Sequence, residues 1–142
     1  MHNILIDSCF WFGLYDIGDE HHQKSLILYS ILEFNNIIIP HPVLYETLNT
    51  RFTLRKEWMI EFNKLLEKSS TIIVSDVRYK EKALSSVLDY NIHFKRPMSL
   101  VDRIIRLMLE DVDLNINSLI TYNTKDFVDL CSKKGISLLN GE

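Results

Sequence analysis

Ile4-Leu5-Ile6-Asp7-Ser8 is a short aliphatic run cut off by an acid and a small hydroxyl residue. A run this short, apolar at consecutive positions and sharply bounded, predicts a strand buried on both faces. The same pattern returns four times: Ile37-Ile38-Ile39, closed by Pro40 and Pro42; Thr71-Ile72-Ile73-Val74; Ser118-Leu119-Ile120-Thr121; and Ile136-Ser137-Leu138-Leu139 after Gly135. Between these runs, helical spacing predicts helices over residues 10–15, 21–34, 42–52, 54–68, 77–90, 100–109 and 127–134. In the second of them Leu26, Tyr29, Ile31, Leu32 and Phe34 read as one buried face. Residues 91–97 read as a basic, polar loop. Strands alternating with helices predict an α/β fold, a parallel five-stranded sheet wrapped on both faces as a three-layer α/β/α sandwich. Such sheets place their active sites beyond the carboxyl ends of the strands, where the strand order reverses.

The 142 residues, 46% hydrophobic and 25% charged, predict one domain over 1–142 with a core of its own. The charge balance of −3 excludes a whole-molecule basic field for gripping nucleic acid, so such a role needs a local patch or bound metal. Two cysteines, Cys9 and Cys131, are too few for a disulfide framework and predict free thiols in a reducing, cytoplasmic setting. No apolar run approaches the roughly 20 residues that span a bilayer, and no membrane role is expected.

The strand exits carry the chemistry. Asp7 follows the first strand, and Thr121-Tyr122-Asn123-Thr124-Lys125-Asp126-Phe127 follows the fourth. Glu46 sits in the helix after the second strand, and Asp102 stands three residues after Ser99, in a capping-box position. Each acid alone has an ordinary structural reading as a cap, a turn residue or a surface group. Converging in one cleft, they would repel one another and take up protons unless a divalent cation neutralised them. An oxygen-only donor set suits Mg²⁺ or Mn²⁺ rather than zinc, and such a site polarises a phosphodiester and generates a hydroxide nucleophile.

In this order, Ile4-Leu5-Ile6-Asp7-Ser8, Pro42-Val43-Leu44-Tyr45-Glu46-Thr47, Ser99-Leu100-Val101-Asp102 and Thr121-Tyr122-Asn123-Thr124-Lys125-Asp126-Phe127 resemble the four motifs of the PIN domain, in particular the VapC-type toxin ribonucleases. The resemblance spans nearly the whole chain, and the ordered spacing carries it rather than any one motif. It implies strand order 3-2-1-4-5 and cleavage of RNA by a metal-dependent endoribonuclease, the toxin of a type II toxin–antitoxin pair. It further implies an RNA substrate, a cognate antitoxin and a homodimer. Asp7, Glu46, Asp102 and Asn123 would hold the Mg²⁺ or Mn²⁺, with Asn123 or Asp126 completing the catalytic set. Many members carry Asp where this chain has Asn123, which offers a carbonyl oxygen without charge. Ser8 would hold Asp7 or the water around the metal.

Among the basic residues, those beside the site helices stand out as phosphate contacts. They are Arg51 and Arg55 after Glu46, and Lys95, Arg96 and Arg103 around Asp102, with Arg96 and Arg103 grouped with Ser8 as substrate-binding. His21, His22, His41 and His93 lack metal-ligand spacing and read as surface groups, while Cys9, Phe10, Trp11, Phe12 and Tyr15 read as core. The four glycines form no phosphate-binding turn after a strand, which excludes Rossmann and P-loop sites. The alternative is a degenerate PIN-like scaffold that binds RNA or protein without catalysis. Asn123 favours it; three like charges kept together oppose it.

Overall fold

A computed structural model describes residues 1–142. Five parallel strands, β1 (Asn3–Ile6), β2 (Asn36–Pro40), β3 (Thr71–Val74), β4 (Ser118–Ile120) and β5 (Ser137–Leu139), form one sheet in the order β3-β2-β1-β4-β5. The α/β class, the parallel pairing and the order are those expected. Ile4, Leu5 and Ile6 of β1 are almost wholly buried, as a central strand covered on both faces requires. The chain builds outward from β1 to β2 and β3, then crosses to β4 and β5, so the order reverses between β1 and β4. Leu5 pairs with Leu119 and Ile6 with Ile120, which sets Asp7 and Thr121 side by side at that reversal.

The helices are α1 (Ser8–Tyr15), α2 (His22–Leu32), α3 (His41–Thr47), α4 (Thr50–Thr53), α5 (Lys56–Leu66), α6 (Lys80–His93), α7 (Leu100–Glu110) and α8 (Val128–Lys134), with a 3₁₀ turn at Thr124–Asp126. The aromatic group sits in the core as expected. Phe10 and Trp11 are fully buried, and Trp11 packs on Phe62 with ring centroids 5.2 Å apart. No helix is long and apolar enough to cross a membrane.

Three expectations are corrected. The helix expected over 42–52 breaks after Thr47, because Leu48 leaves helical geometry and the Asn49 side chain accepts from the Phe52 N–H at 3.0 Å, starting α4. The expected loop at 91–97 is partly helical, since α6 runs on to His93. There the Asn91 side chain donates to the Met98 carbonyl at 2.9 Å and accepts from its N–H at 2.8 Å, tying down the remaining loop.

The buried face of α2 is also different. Ser25, Leu28 and Leu32 are buried, whereas Leu26, Tyr29, Ile31 and Phe34 face solvent. Close helix packing explains the choice: Gly13 of α1 meets Ser25 of α2 at a distance no larger pair allows. A methyl group added at Gly13 overlaps Ser25 Oγ, which is itself bonded to Tyr122 Oη and donates to the Phe10 carbonyl. Gly13→Ala is expected to lower stability by about 1–3 kcal/mol, as overpacking of a tight core does, read from urea unfolding.

Candidate active site

Asp7 closes β1 and caps α1 at once. Its Oδ1 accepts from the Ser8 N–H at 2.8 Å, which satisfies a free donor of the helix end. Its Oδ2 accepts from the Thr121 hydroxyl at 2.9 Å, across the β1–β4 reversal. The side chain is only 5% exposed, and burial raises its pKa against the opposing hydrogen bonds from Thr121, Ser8 and Cys9.

Glu46 lies at the exposed rim on α3, where the Ser8 hydroxyl donates to its Oε1 at 3.0 Å. Ser8 therefore joins the first two acids, holding one with its backbone and the other with its side chain. Partial desolvation of the Glu46 carboxyl and the charge of Asp7 raise its pKa, against the Ser8 hydrogen bond.

Asp102 stands in the first turn of α7. The Ser99 hydroxyl accepts from the Asp102 N–H at 3.0 Å, but the carboxylate does not return the bond to the Ser99 N–H, so the capping box is half made. The carboxylate instead accepts from Asn123 Nδ2 at 3.4 Å. Burial, then the charges of Asp7, Asp126 and Glu46, push its pKa up to about 7.

Asn123 donates the same amide to Asp126 Oδ2 and so links the fourth acid to the third. Asp126 is buried and also takes an ion pair from Arg96, Nη2 to Oδ1 at 2.7 Å. Its charge is thus met by protein, unlike that of Asp7 or Asp102. Arg103 borders the same end of the fold, its Nε donating to Ser86 Oγ at 2.8 Å. Arg51 instead pairs with Asp16.

Three placements differ from the core and surface readings. Cys9 is not packed in the core but half-buried beside the site, accepting from the Tyr122 N–H at 3.4 Å. Burial and the neighbouring Asp7 push its thiol up to about 12, which keeps it protonated and poorly nucleophilic. His21 is not a free surface group, for it stacks on Tyr122 with centroids 4.1 Å apart; His22 Nδ1 bonds the Gly13 carbonyl at 2.7 Å.

Thr121 was not singled out by the sequence reading. Fully buried, it donates to Asp7 and accepts from the Asn123 N–H at 3.1 Å, so one hydroxyl orients residues of two motifs. The available signal was strand register: in a sheet of this order, the residue following β4 faces the residue following β1.

Four acids coupled this way form a partly open site with surplus negative charge. Nowhere do three Asp, Glu, His or Cys side chains converge tightly enough to enclose an ion by themselves. Mg²⁺ needs no such cage, because it keeps several waters and is ordinarily bound through one or two carboxylates. The oxygen donors and raised carboxyl pKa values fit a hard divalent cation.

No family model and no curated sequence matches the chain. Solved structures do. VapC20 of Mycobacterium tuberculosis, a sarcin-ricin loop cleaving toxin, superimposes with a TM-score of 0.70 at 17% identity, over 89% of this chain and 94% of that one. FitAcB from Neisseria gonorrhoeae superimposes with a TM-score of 0.63 at 13% identity, over 97% of each chain. At these identities the likeness is one of fold, and it agrees with the strand order: the chain has the PIN-domain fold of the VapC type.

Proposed function

We propose that this protein is a Mg²⁺- or Mn²⁺-dependent endoribonuclease, the toxin of a type II toxin–antitoxin pair. The observation that carries the reading is the buried carboxylate of Asp7 at the sheet reversal, coupled by charge to Glu46 and Asp102, with no protein cation paired to any of the three. Retaining three such acids costs stability, and a bound divalent cation is the simplest compensation.

In this reading Asp7, Glu46 and Asp102 would hold the cation, with the Asn123 carbonyl oxygen as a further donor, while the Asn123 amide restrains Asp102 and Asp126. Thr121 and Ser8 position Asp7 and Glu46. A bound Mg²⁺ or Mn²⁺ would supply Lewis-acid polarisation of a phosphodiester and, by lowering the pKa of water, a hydroxide nucleophile near neutral pH. Arg103, whose terminal amino groups meet no protein acceptor, would meet phosphates of the incoming strand, and Arg96, paired with Asp126, borders them. The fold shared with a sarcin-ricin loop cleaving toxin supports RNA as the substrate class. An antitoxin, a second copy of the chain and a cytoplasmic setting accompany the proposal.

End-labelled single-stranded RNA tests it. Internal cuts are expected with Mg²⁺ or Mn²⁺ and none in EDTA. On expression in bacteria, growth should arrest with the native chain and continue with Asp102→Ala. Asn123, which lacks the charge an Asp would bring, favours the alternative of a non-catalytic scaffold. RNA binding without cleavage at every cation concentration would establish that alternative instead.

A further inference from the structure

Beside the acids, between α6, α7 and the 3₁₀ turn, lies a cavity of about 200 Å³ whose wall holds Arg96, Arg103, Arg106 and Lys125 against Asp126 and Asp129. In a chain that is acidic overall, such a concentration of cations calls for an explanation. Internal pairing accounts for only part of it. Arg106 grips Asp129 with two bonds of 2.8 and 2.9 Å and donates to the Asp126 carbonyl at 2.7 Å. Arg96 pairs with Asp126. Arg103 uses only its Nε, on Ser86, so its two terminal amino groups meet no protein acceptor. Lys125 is exposed and has no acidic partner, and Arg106 Nε is buried without an acceptor.

Arg106 and Asp129 brace the pocket. Asp129 is held down to about 2 by the Arg106 guanidinium, so it stays ionised and keeps that arginine in place throughout the physiological range. The remaining donors are then presented to whatever enters. Asp126 is both a wall of the pocket and, through Asn123, a neighbour of Asp102. The pocket therefore borders the proposed cleavage site without including Asp7 or Glu46.

We propose that this pocket is a subsite for a phosphate of the RNA strand other than the one being cleaved, bound by Arg103 and Lys125 and setting which phosphodiester lies over the acids. The identity of the ligand as RNA rests on the nuclease reading above. A planar guanidinium with two free amino groups matches two phosphate oxygens, and Lys125 adds a point charge. Tyr90, stacked on Phe94 at 4.6 Å, and Met98 form the apolar part of the wall, against which the adjoining ribose or base rests.

The test is equilibrium binding of a fluorescent single-stranded RNA in EDTA, where no metal-dependent cleavage intervenes. In one series each internal linkage is replaced in turn by a neutral methylphosphonate; a second pair of oligonucleotides carries or lacks a 5′-phosphate. In the native chain, removing charge at one position is expected to weaken binding roughly tenfold, the size of one charge-assisted hydrogen bond. The Arg103→Gln/Lys125→Gln chain should bind intact RNA more weakly by a similar factor, with a smaller salt dependence, and lose nothing further at that position. Whether the sensitive position is internal or terminal identifies the phosphate. Lys125→Gln alone, at a side chain with no protein partner, repeats the comparison without disturbing the fold. A variant that keeps the native sensitivity at every position overturns the subsite. Position-dependent binding with no cleavage under any cation would leave the subsite standing and remove the nuclease; cleavage without that dependence would do the reverse.

Discussion

Asp7→Asn is expected to abolish cation-dependent RNA cleavage while leaving the chain at least as stable as before. A metal that contributes several kcal/mol of charge stabilisation corresponds to a rate loss on the order of 10³-fold or more when its central ligand is neutralised. The fold should tolerate the change because the new amide keeps the Ser8 and Thr121 contacts and gives up only the weak one from Cys9. Its oxygen can accept from the Ser8 N–H, and its nitrogen can donate to the Thr121 hydroxyl, which now accepts where it donated. The desolvation penalty on a buried carboxylate, which raises the Asp7 pKa, disappears. Activity and stability therefore move in opposite directions, as at other sites where function keeps an unfavourable charge. The measurements are single-turnover cleavage with Mn²⁺ and a thermal melt in EDTA at pH 8. Cleavage retained above a tenth of the native rate, or a large fall in Tm, would remove Asp7 from the proposed role.

Cation affinity and metal-free stability should both depend on pH, through Asp102. Its carboxyl titrates near 3.8 in ordinary surroundings and near 7 in the folded chain, so between those values the folded state binds the extra proton. A raised carboxylate pKa stabilises the fold below its unfolded value and loses that contribution as pH rises through the folded one. In EDTA, Tm should therefore fall between pH 4 and 7. The site is partly open and screened by solvent, so the part of the change due to Asp102 should be roughly 3–6 °C. Asp7 and Glu46, also raised, act in the same direction. A cation must displace the Asp102 proton, so its apparent affinity should drop by about tenfold per pH unit below 7. Asp102→Asn should flatten both dependences. If Mn²⁺ binds equally well at pH 5 and pH 8, Asp102 is not part of the cation site.

The sheet was legible because each strand is a short aliphatic run with a sharp end, and the helices between them force parallel pairing. Ile4-Leu5-Ile6 and Ser118-Leu119-Ile120 needed no tertiary information to be read as strands. Asp7 was legible for the same reason, since a polar residue directly after a doubly buried strand lands at the sheet end whatever surrounds it. Helix faces were less legible. Leu26, Tyr29, Ile31 and Phe34 are more apolar than Ser25, yet Ser25 is inside, because the nearness of Gly13 selects for small volume over hydrophobicity.

Charge partners were the least legible part. Asp126 lies three residues from Asn123 and thirty from Arg96, and local spacing cannot say which of them meets its carboxylate; the folded chain brings both. Asp102 looked like a capping-box acid by position, but its carboxylate faces Asn123 and three other acids instead of the Ser99 N–H. The Arg106–Asp129 brace carries no motif at all, and within its motif nothing marks Thr121 as the partner of Asp7; these roles come from packing of α7 on α8 and from strand register. Local sequence could specify the strands and place acids at their ends, because backbone propensity and burial act over a few residues. Which acids keep a free charge, and which cations remain available to a ligand, was decided by tertiary structure, because electrostatic pairing depends on distances between segments far apart in the chain.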